Sequence, residues 1–314
     1  MENVIKARKK AHNGFSQEDW PIHYLEGVFC PLCNSKSFKK MYPKTYKRLV
    51  ICSSCGLIFT SPRLKKGYLK HLYSKEYFNN KISSHFGYQD YLGDEKKIVK
   101  TFSKRILDIE RVVKNKGKLL DIGCATGFFM KAAKDKKWDV EGVEISQFAA
   151  SYASSHFKFA VYQQDFLELN LPENNYDVVT LWDVIEHFYD PVKALIKIKR
   201  ILVSGGILVI STPDVNSIPA KLTKDKWIGY KLSDEHLTYF SIKTMKKLLE
   251  QTGFSIVKKN HVGKHVSLQM LSDRASIYNS SLGKIIGTAS RFISKDYFLY
   301  INPLDIMCIY AKKE

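Results

Sequence analysis

The sequence lacks any long apolar run. Its longest ones, Ile207–Ile210 and Tyr176–Trp182, are far too short to span a bilayer. The first residues, MENVIKARKKAHNG, are basic but contain no apolar stretch typical of a secretory signal. Low-complexity tracts and internal repeats are absent, and 314 residues with 45% hydrophobic content suffice for one large core or a core with a small appended module. We therefore expect a cytoplasmic globular protein.

Acidic residues are scarce in the first third of the chain. Residues 1–118 contain 25 Lys and Arg against 10 Asp and Glu, whereas the other residues contain 25 against 21. Three explanations stay open. The basic third attracts an anionic partner such as nucleic acid, a phosphorylated substrate or a membrane surface; it offsets the negative charge of a metal–thiolate site; or it is ordinary solvated surface.

Cysteine is also scarce, and four of the six cysteines fall in two close pairs. Two residues separate Cys30 from Cys33 and Cys52 from Cys55, and 18 residues separate the pairs. In a reducing compartment such pairs indicate metal ligands rather than disulfides, and this spacing can place four thiolates tetrahedrally around zinc. Because the four cysteines would fill all four coordination positions of the metal and leave none for a substrate, we expect a structural Zn²⁺ site.

The chain divides into three predicted regions: a zinc ribbon over residues 1–62, a helical connector over 63–117 and an α/β domain over 118–314. In the connector, apolar residues recur every three or four positions until Gly117, which indicates one buried helix face. These residues are Ile98, Phe102, Ile106, Ile109 and Val113. Strands alternating with helices after residue 118 predict a Rossmann-like, seven-stranded, doubly wound sheet.

Seven segments of the α/β domain are predicted to be strands. A Gly205-Gly206 turn is predicted before the fifth strand, and a helical segment over about 264–300 interrupts the pattern near the end. Lys284, Ile285, Ile286, Phe292 and Ile293 give that segment a basic amphipathic face, so it is either a lid or ordinary helix, or a peripheral membrane contact. The predicted strands are Lys118–Ile122, Trp138–Val143, Phe159–Tyr162, Tyr176–Trp182, Ile207–Ser211, Phe254–Lys259 and Asp305–Ala311.

A glycine-containing loop, within Leu119–Met130 (LLDIGCATGFFM), connects the first of these strands to a helix. Gly123 and Gly127 allow the backbone to approach a ligand closely. The spacing G-x-x-x-G differs from the G-x-G-x-x-G of dinucleotide-binding folds. Asp121 at the strand end would suit a cation or a hydroxyl rather than a pyrophosphate.

Two further carboxylates follow the next two strands. Glu144 ends the second strand, where a carboxylate can accept hydrogen bonds from both ribose hydroxyls. Asp165 and Phe166 follow the third strand, where a carboxylate can accept from an exocyclic amine and a ring can stack on a base. Since the carboxyl ends of parallel strands share one edge of a sheet, these groups should lie near the glycine loop.

Asp121, the glycine loop, Glu144 and the pair Asp165-Phe166 follow one another at the ends of successive strands. This arrangement resembles the class I S-adenosylmethionine-dependent methyltransferases over about residues 118–260. A nucleotide-binding Rossmann protein of another kind is the alternative. The family usually has glycine where this chain has Ala125, and we expect alanine to be tolerated because it is small. The resemblance implies that S-adenosylmethionine is held by Asp121, Gly123, Ala125, Gly127, Glu144, Ile145, Asp165 and Phe166.

The fourth strand ends in a further polar group, Asp183, Glu186 and His187. At spacing i, i+3 and i+4 they would share one face of a helical turn. Methyl transfer to oxygen requires an aligned nucleophile and removal of its proton, so His187 is a candidate general base. The trio could instead bind a divalent cation or merely cap the next helix. The D/E-x-x-E-H pattern resembles quinone-biosynthesis O-methyltransferases, some of which use magnesium.

A second cluster follows the fifth strand and contains Trp227, Tyr230 and the run Glu235–Ser241. Aromatic rings with acidic residues and a histidine suit a sugar or polyol. The E-H-L-x-Y-F-S run resembles methyltransferases of glycan and secondary-metabolite pathways, which implies that His236 faces the acceptor as a catalytic residue. The alternative is a helix N-cap at Ser241 preceded by packed aromatic residues.

The predicted function is methyl transfer from S-adenosylmethionine to a hydroxyl of a sugar, glycan intermediate or small metabolite. The run Leu57–Arg63, with Tyr73 and Tyr77-Phe78, resembles N-terminal extensions of sugar-pathway methyltransferases. An rRNA or tRNA methyltransferase whose basic zinc ribbon binds RNA is the alternative. Against it, the N/D-P-P-F/Y loop of amino-group methylases and a stacking-aromatic RNA motif are absent. A cofactor-binding regulatory protein is a third reading, which the intact cofactor motifs oppose.

Overall fold

The computed structural model describes residues 20–46, 48–69, 75–78, 90–232, 235–290, 292–294 and 297–314. The basic N-terminal residues and Tyr73 lie outside this part of the chain. The strands are β1 Leu25–Glu26, β2 Phe38–Lys40, β3 Leu49–Cys52, β4 Ile58–Thr60, β5 Arg63–Leu64, β6 Lys118–Ile122, β7 Asp139–Val143, β8 Ala160–Tyr162, β9 Tyr176–Trp182, β10 Leu202–Pro213, β11 Thr238–Tyr239, β12 Phe254–His261, β13 Lys264–Val266, β14 Leu299–Ile301 and β15 Ile306–Lys313.

The helices alternate with these strands. The α-helices are α1 Lys66–Leu69, α2 Lys75–Phe78, α3 Glu95–Glu110, α4 Phe128–Asp135, α5 Gln147–Phe157, α6 Pro191–Ile201, α7 Ile218–Thr223, α8 Ile242–Gln251, α9 Leu268–Tyr278 and α10 Ser280–Ser290. Short 3₁₀ turns lie at Ile22–Tyr24, Ile185–His187, Lys224–Lys226 and Ile228–Leu232.

Seven strands form the central sheet in the order β12-β15-β10-β9-β6-β7-β8. The pairs from β10 to β8 are parallel, and β15 lies antiparallel between β10 and β12. Strand β9 is buried along almost its whole length because helices cover both faces, which explains its continuous apolar sequence. The predicted doubly wound, seven-stranded fold is therefore confirmed.

Two apolar cores lie on opposite faces of this sheet. On one face, Ile106 and Ile109 of α3 are fully buried together with residues of α4, which confirms the apolar helix face predicted for the connector. On the other face, α6 and α8 contribute Leu195 and Leu248 to a core that also contains ribbon residues. Helix α3 ends at Glu110, earlier than the predicted stop at Gly117.

The Gly205-Gly206 turn predicted before the fifth strand lies inside β10, which begins earlier than expected, at Leu202. The register of β10 against β9 shifts between Leu202 and Ile207, and Gly205 has a φ of 72°. Glycine takes this conformation without strain, and residues 203–206 have no pairing partner in β9 or β15, so the chain bulges out of the ladder at this point.

The segment over 264–300 contains two packed helices, α9 and α10, between the paired strands β13 and β14. The chain leaves helical geometry at Asn279, and the Ser272 hydroxyl donates to the Gly283 carbonyl at 2.8 Å. A Cβ at Gly283 would lie 1.9 Å from Ser276 Oγ, so the close helix contact requires glycine there. Ile285 and Phe292 are exposed. Within the described ranges, no helix has the length and apolar character needed to cross a membrane.

The cysteine-bearing sheet contains a strand from the α/β domain. Strands β2, β3 and β4 are antiparallel neighbours, and β11 adds to the outer edge of β4. Tyr46, Leu49 and Ile58 of the ribbon pack in one cluster with Trp227 and other residues that follow β10. The ribbon thus shares its core with the α/β domain and is not a separately packed module.

Candidate functional site

The glycine loop joins β6 to α4 and contains three residues with positive φ: Gly123 at 72°, Ala125 at 48° and Gly127 at 85°. A Cβ at Gly123 would lie 2.5 Å from Val184 Cγ2, so both the backbone and the available space require glycine. Val184 belongs to the turn after β9, and the loop therefore packs directly on that turn. Ala125 occupies the left-handed region, which explains why glycine is usual at its position.

Asp121 and Glu144 are both buried at the carboxyl edge of the sheet. The Thr180 hydroxyl donates to Asp121 Oδ1 at 2.7 Å, and burial raises the pKa of Asp121 to about 8. Burial also raises the pKa of Glu144, whose two oxygens accept from the Ala125 and Ser146 amides at 2.9 and 2.8 Å. Glu144 thereby ties the glycine loop to β7 and keeps lone pairs for further donors.

Two buried hydroxyls beside these carboxylates, Thr126 Oγ1 and Ser146 Oγ, have no hydrogen-bond partner among the described residues. Such groups are nearly always paired in folded proteins, so they indicate a ligand position. S-adenosylmethionine carries a sulfonium, an ammonium and ribose hydroxyls. Buried carboxylates suit its positive charge, and the orphaned hydroxyls can bond its polar groups. The residues of the loop therefore fit this cofactor.

Asp165 lies after β8, as expected from the sequence, but it has partners that sequence reasoning missed. The Leu167 amide donates to Asp165 Oδ1 at 2.9 Å, and Lys66 Nζ lies 3.1 Å from Oδ2. Lys66 also contacts Glu168, and these bonds raise the pKa of its ammonium group. No local pattern connects α1 with β8, so this ion pair had no sequence signal.

The two apolar residues predicted to contact adenine differ in exposure. Ile145 is 41% exposed next to Glu144, so its side chain is accessible to a ligand. The Phe166 ring is only 3% exposed and packs in the core with its centroid 6.0 Å from that of Phe188. This position gives no support to the stacking role predicted for Phe166.

Asp183 stands apart from the turn that follows β9. The 3₁₀ turn covers only Ile185–His187, so Asp183 does not share one helical face with Glu186 and His187 as the spacing predicted. Instead Asp183 has a φ of 55°, its amide donates to the Ser211 carbonyl at 3.0 Å, and the Ser211 hydroxyl donates to its Oδ1 at 2.8 Å. The neighbouring strand β10 therefore holds Asp183 at the sheet edge.

Glu186 and His187 are joined by His236, which the sequence had placed in a separate cluster. One ligand atom from each of the three lies within 4.8 Å of the others, and the two imidazole centroids are 4.8 Å apart. His187 Nδ1 lies 2.9 Å from the Glu235 carbonyl. That bond places the hydrogen on Nδ1 and makes Nε2 the basic nitrogen.

Burial dominates the electrostatics of this group. It raises the pKa of Glu186 well above its usual range, and the nearby Asp183 carboxylate adds to the effect. It lowers the pKa of His187, which the bond to the Glu235 carbonyl partly opposes. It lowers the pKa of His236 well below its usual range, with His187 contributing. Both imidazoles are therefore favoured in the neutral form.

The aromatic residues after β10 support the packing interpretation rather than a sugar platform. Trp227 and Tyr230 are each 2% exposed, and their rings meet edge to face at 5.0 Å. Ser241 caps α8 in a reciprocal capping box with Thr244, as the sequence predicted. From this segment, the His236 side chain and the Glu235 carbonyl reach the polar cluster beside β9.

The four cysteines come together as one donor set. The Sγ atoms of Cys30 and Cys55 are 3.5 Å apart, those of Cys33 and Cys52 are 3.6 Å apart, and all four lie within 4.8 Å of one another. Zinc–sulfur bonds of about 2.3 Å require sulfur separations of about 3.8 Å, so the set fits Zn²⁺. For Cys52, burial opposes ionisation, but backbone amides of Cys55 and Ser54 lower its pKa to about 6.

The strand order and the carboxylates at the ends of β6 and β7 define a class I methyltransferase domain. The chain belongs to the family described as "Methyltransferase domain", whose model matches residues 95–259, more than half of the chain. That match begins inside the predicted connector, at the start of α3.

Several known proteins are similar to parts of this chain. A probable S-adenosylmethionine-dependent methyltransferase of Mycolicibacterium smegmatis is 24% identical over 139 residues, covering 44% of this chain and 52% of the relative. A ubiquinone biosynthesis O-methyltransferase of Psychrobacter arcticus is 28% identical over 107 residues, covering 32% and 42%. The chain thus spans about half, or less, of these relatives. A solved SAM-dependent methyltransferase from Archaeoglobus fulgidus is 21% identical with a TM-score of 0.49, covering 71% of this chain and 99% of its own.

Proposed function

We propose that this protein transfers a methyl group from S-adenosylmethionine to a hydroxyl of a sugar, glycan intermediate or small metabolite. The supporting observation is the row of buried polar groups at the carboxyl ends of adjacent strands, from Glu144 through Asp121 to the turn Ile185–His187. The ubiquinone-pathway relatives are O-methyltransferases, which supports an oxygen acceptor.

In this reaction, different residues of the chain bind the cofactor and activate the acceptor. Asp121 and Glu144 bind the cofactor, which when bound supplies a methyl group on a positively charged sulfur. The remaining task is to align the acceptor oxygen and to remove its proton. We assign proton removal to His187, because the Glu235 carbonyl anchors its Nδ1 and burial keeps the ring neutral. His236, whose ring centroid lies 4.8 Å from that of His187, would contact the acceptor, and Asp183 at the neighbouring sheet edge is a further candidate contact.

The cysteine site has a structural role in this proposal. All four positions of the donor set are cysteine sulfurs, so a bound Zn²⁺ would have no open position for a substrate. Its contribution is to hold β2, β3 and β4 together, and with them the edge to which β11 is added.

Cofactor binding is the first experimental test. Calorimetric titration with S-adenosylhomocysteine should show one site, and Glu144→Gln should weaken binding at least about tenfold because it removes a buried charged acceptor. Glu141→Gln, on the same strand, is the matched control and should bind normally. Equal affinity of all three proteins would refute the assigned cofactor site.

The acceptor class is tested with methyl-labelled S-adenosylmethionine. Separate incubations with a polar metabolite and glycan fraction and with total RNA should place the label in the first as an alkali-stable ether. His187→Gln should lower label incorporation without changing cofactor affinity. Full incorporation by that variant would exclude the base role.

RNA methylation is the second candidate, and one observation favours it. Four lysines of the zinc ribbon are exposed around β2, namely Lys36, Lys39, Lys40 and Lys44. Lysines that bind phosphates give an affinity that falls steeply with salt. Label in the RNA fraction, together with salt-sensitive RNA binding that is lost when these lysines are changed to glutamine, would favour this candidate over the first.

A further inference from the structure

An open cavity of about 290 Å³ lies beyond the ends of β10 and β12, at the carboxyl edge of the main sheet. In the strand order, β10 and β12 lie on the opposite side of β9 from β6 and β7, whose ends bear Asp121 and Glu144. The cavity is therefore separate from the proposed cofactor position. Its volume is at the lower end of the range of ligand pockets, so it suits a molecule smaller than S-adenosylmethionine.

A buried carboxylate, Asp214, contributes to the lining of this cavity. Its Oδ1 accepts from the Asn216 amide at 2.9 Å, and its Oδ2 lies 3.1 Å from His261 Nε2. The Asp214 amide in turn donates to the Asp305 carbonyl at 2.8 Å, in the loop before β15. Each carboxylate oxygen thus has a partner, and the surrounding chain fixes the position of the carboxylate.

His261 is the polar group of the cavity that can still bind a ligand. Its bond to the Asp214 carboxylate places the hydrogen of the neutral ring on Nε2 and leaves a lone pair on Nδ1. Within the described part of the chain, Nδ1 has no hydrogen-bond partner. The side chain is 26% exposed and lines the cavity. Because Nε2 is directed at a buried carboxylate, Nδ1 is the nitrogen available to a ligand there.

Apolar side chains form the rest of the rim, and two of them are exposed to solvent. Ile218 is 64% exposed and Leu304 is 47% exposed, and both line the cavity together with Ile242. Leu304 has a φ of 64°, a left-handed conformation that leucine rarely adopts. Strained residues of this kind are concentrated at ligand contacts and active sites. The rim therefore combines exposed apolar surface with backbone strain.

We propose that this cavity binds a small uncharged ring compound with one hydrogen-bond donor. The ring would pack on Ile218 and Leu304, and its N–H or O–H would donate to His261 Nδ1. A polyol would leave hydroxyls unpaired against the apolar side chains. The exposed Lys243 at the rim favours an anion, but the lone pair on Nδ1 and the Asp214 charge oppose one. Binding here does not depend on the proposed methyl transfer.

Nuclear magnetic resonance of protein labelled with ¹⁵N-histidine tests the site, because the Nδ1 shift reports a hydrogen bond accepted by that atom. The probe is indole, and 1-methylindole, which lacks the donor, is the matched control. Indole should shift the His261 Nδ1 signal saturably and bind about three- to tenfold more tightly than 1-methylindole. Saturating S-adenosylhomocysteine should leave the indole-dependent shift in place.

Variants separate ligand binding from a structural role. His261→Lys keeps a donor for Asp214 but has no acceptor, so it should fold and lose the preference for indole. Leu304→Gly relieves the strained φ, so it should not lower stability, yet loss of the apolar contact should weaken indole binding at least about threefold. His156→Gln, at an exposed histidine on α5, should bind indole as the wild type does.

Four results would overturn the site. They are no saturable Nδ1 shift with indole, equal affinity of the wild type for indole and 1-methylindole, tighter binding of the anion indole-2-carboxylate, and unchanged indole binding by Leu304→Gly. Displacement of indole by S-adenosylhomocysteine would also contradict a cavity separate from the cofactor. Failure of S-adenosylhomocysteine itself to bind would count against the proposed function and leave the indole result standing.

Discussion

In the proposed cofactor site, Asp121 combines deep burial with a carboxyl group that would face a positively charged ligand. Its pKa is raised to about 8 by burial, so near pH 7 the free protein holds this group largely protonated. A cationic ligand favours the carboxylate, and its binding therefore lowers the pKa and releases a proton. This links cofactor affinity to pH through one residue.

We expect S-adenosylmethionine affinity to rise between about pH 6 and pH 8, by at most about tenfold per unit, and then to level off. Proton release is measured by calorimetry in two buffers with different ionisation enthalpies. Asp121→Asn, which keeps the shape of the side chain, should bind more weakly and release no proton. Identical heats for the wild type in both buffers would show that Asp121 is already ionised.

Gly123 is constrained by its φ of 72° and by the methyl groups of Val184. Gly123→Ala should destabilise the protein by about 2 kcal/mol and weaken cofactor binding, because a Cβ is disfavoured by both constraints. Urea denaturation measures the loss of stability. Adding Val184→Ala removes the steric contact but leaves the backbone strain, so the double variant should be more stable than the sum of the single effects predicts. Strict additivity would contradict this reading.

At the scale of elements, the edge of β4 joins the ribbon to the catalytic side of the domain. Thr60 is buried, its amide donates to the Leu237 carbonyl at 3.0 Å, and its hydroxyl donates to the His236 carbonyl at 3.0 Å. The same loop donates from Leu237 to Glu186. A ribbon strand therefore helps to set the position of His236.

Thr60→Val tests this connection because it preserves size and removes the hydroxyl. Leaving the His236 carbonyl without its donor should cost about 1 to 2 kcal/mol of stability and increase hydrogen exchange in residues 235–239. Thr60→Ser keeps the donor and should retain wild-type protection of this loop. Equal exchange in both variants would mean that strand pairing alone positions the loop.

The sequence predicted the strands and helices better than it predicted the tertiary contacts between them. All seven strands of the main sheet could be identified from apolar runs and from the glycines that bound them. The four cysteines of the ribbon could be identified from their spacing alone. The β4–β11 pairing, the Lys66–Asp165 ion pair and the approach of His236 to Glu186 could not, since each joins residues far apart in the chain. The predicted face of Asp183 was wrong because a hydroxyl on the neighbouring strand holds that residue outside the turn.

At the scale of the whole molecule, the ribbon and the segment after β10 stabilise each other. Tyr46 and Ile58 pack against Trp227 and Tyr239, and Cys30 and Cys52 lie in the main core. Loss of the metal should therefore disturb residues far from it in the sequence. The ribbon and the methyltransferase domain are expected to unfold in one transition.

Removing zinc, by a strong chelator or by Cys33→Ser, should lower the melting temperature and shift the Trp227 emission to the red as the shared cluster opens to water. Because the chain has four tryptophans, the Trp227 emission is taken as the difference between matched proteins with and without Trp227→Phe. The heat absorbed in calorimetry and the Trp227 emission should change over the same temperature range. Cys308→Ser, at a buried cysteine outside the ribbon, should keep one equivalent of zinc. A ribbon that melts separately while Trp227 emission stays constant would contradict the shared core.

The β4–β11 pairing also has a consequence for synthesis. Thr60 and His236, bonded in the folded protein, are 176 residues apart in the chain. At about 5 to 20 residues per second, a ribosome needs on the order of 10 to 30 seconds to add that length. During this interval the outer edge of β4 lacks its final neighbour, and an open strand edge invites pairing with other chains. The nascent protein therefore has a period of aggregation risk that ends only when β11 emerges.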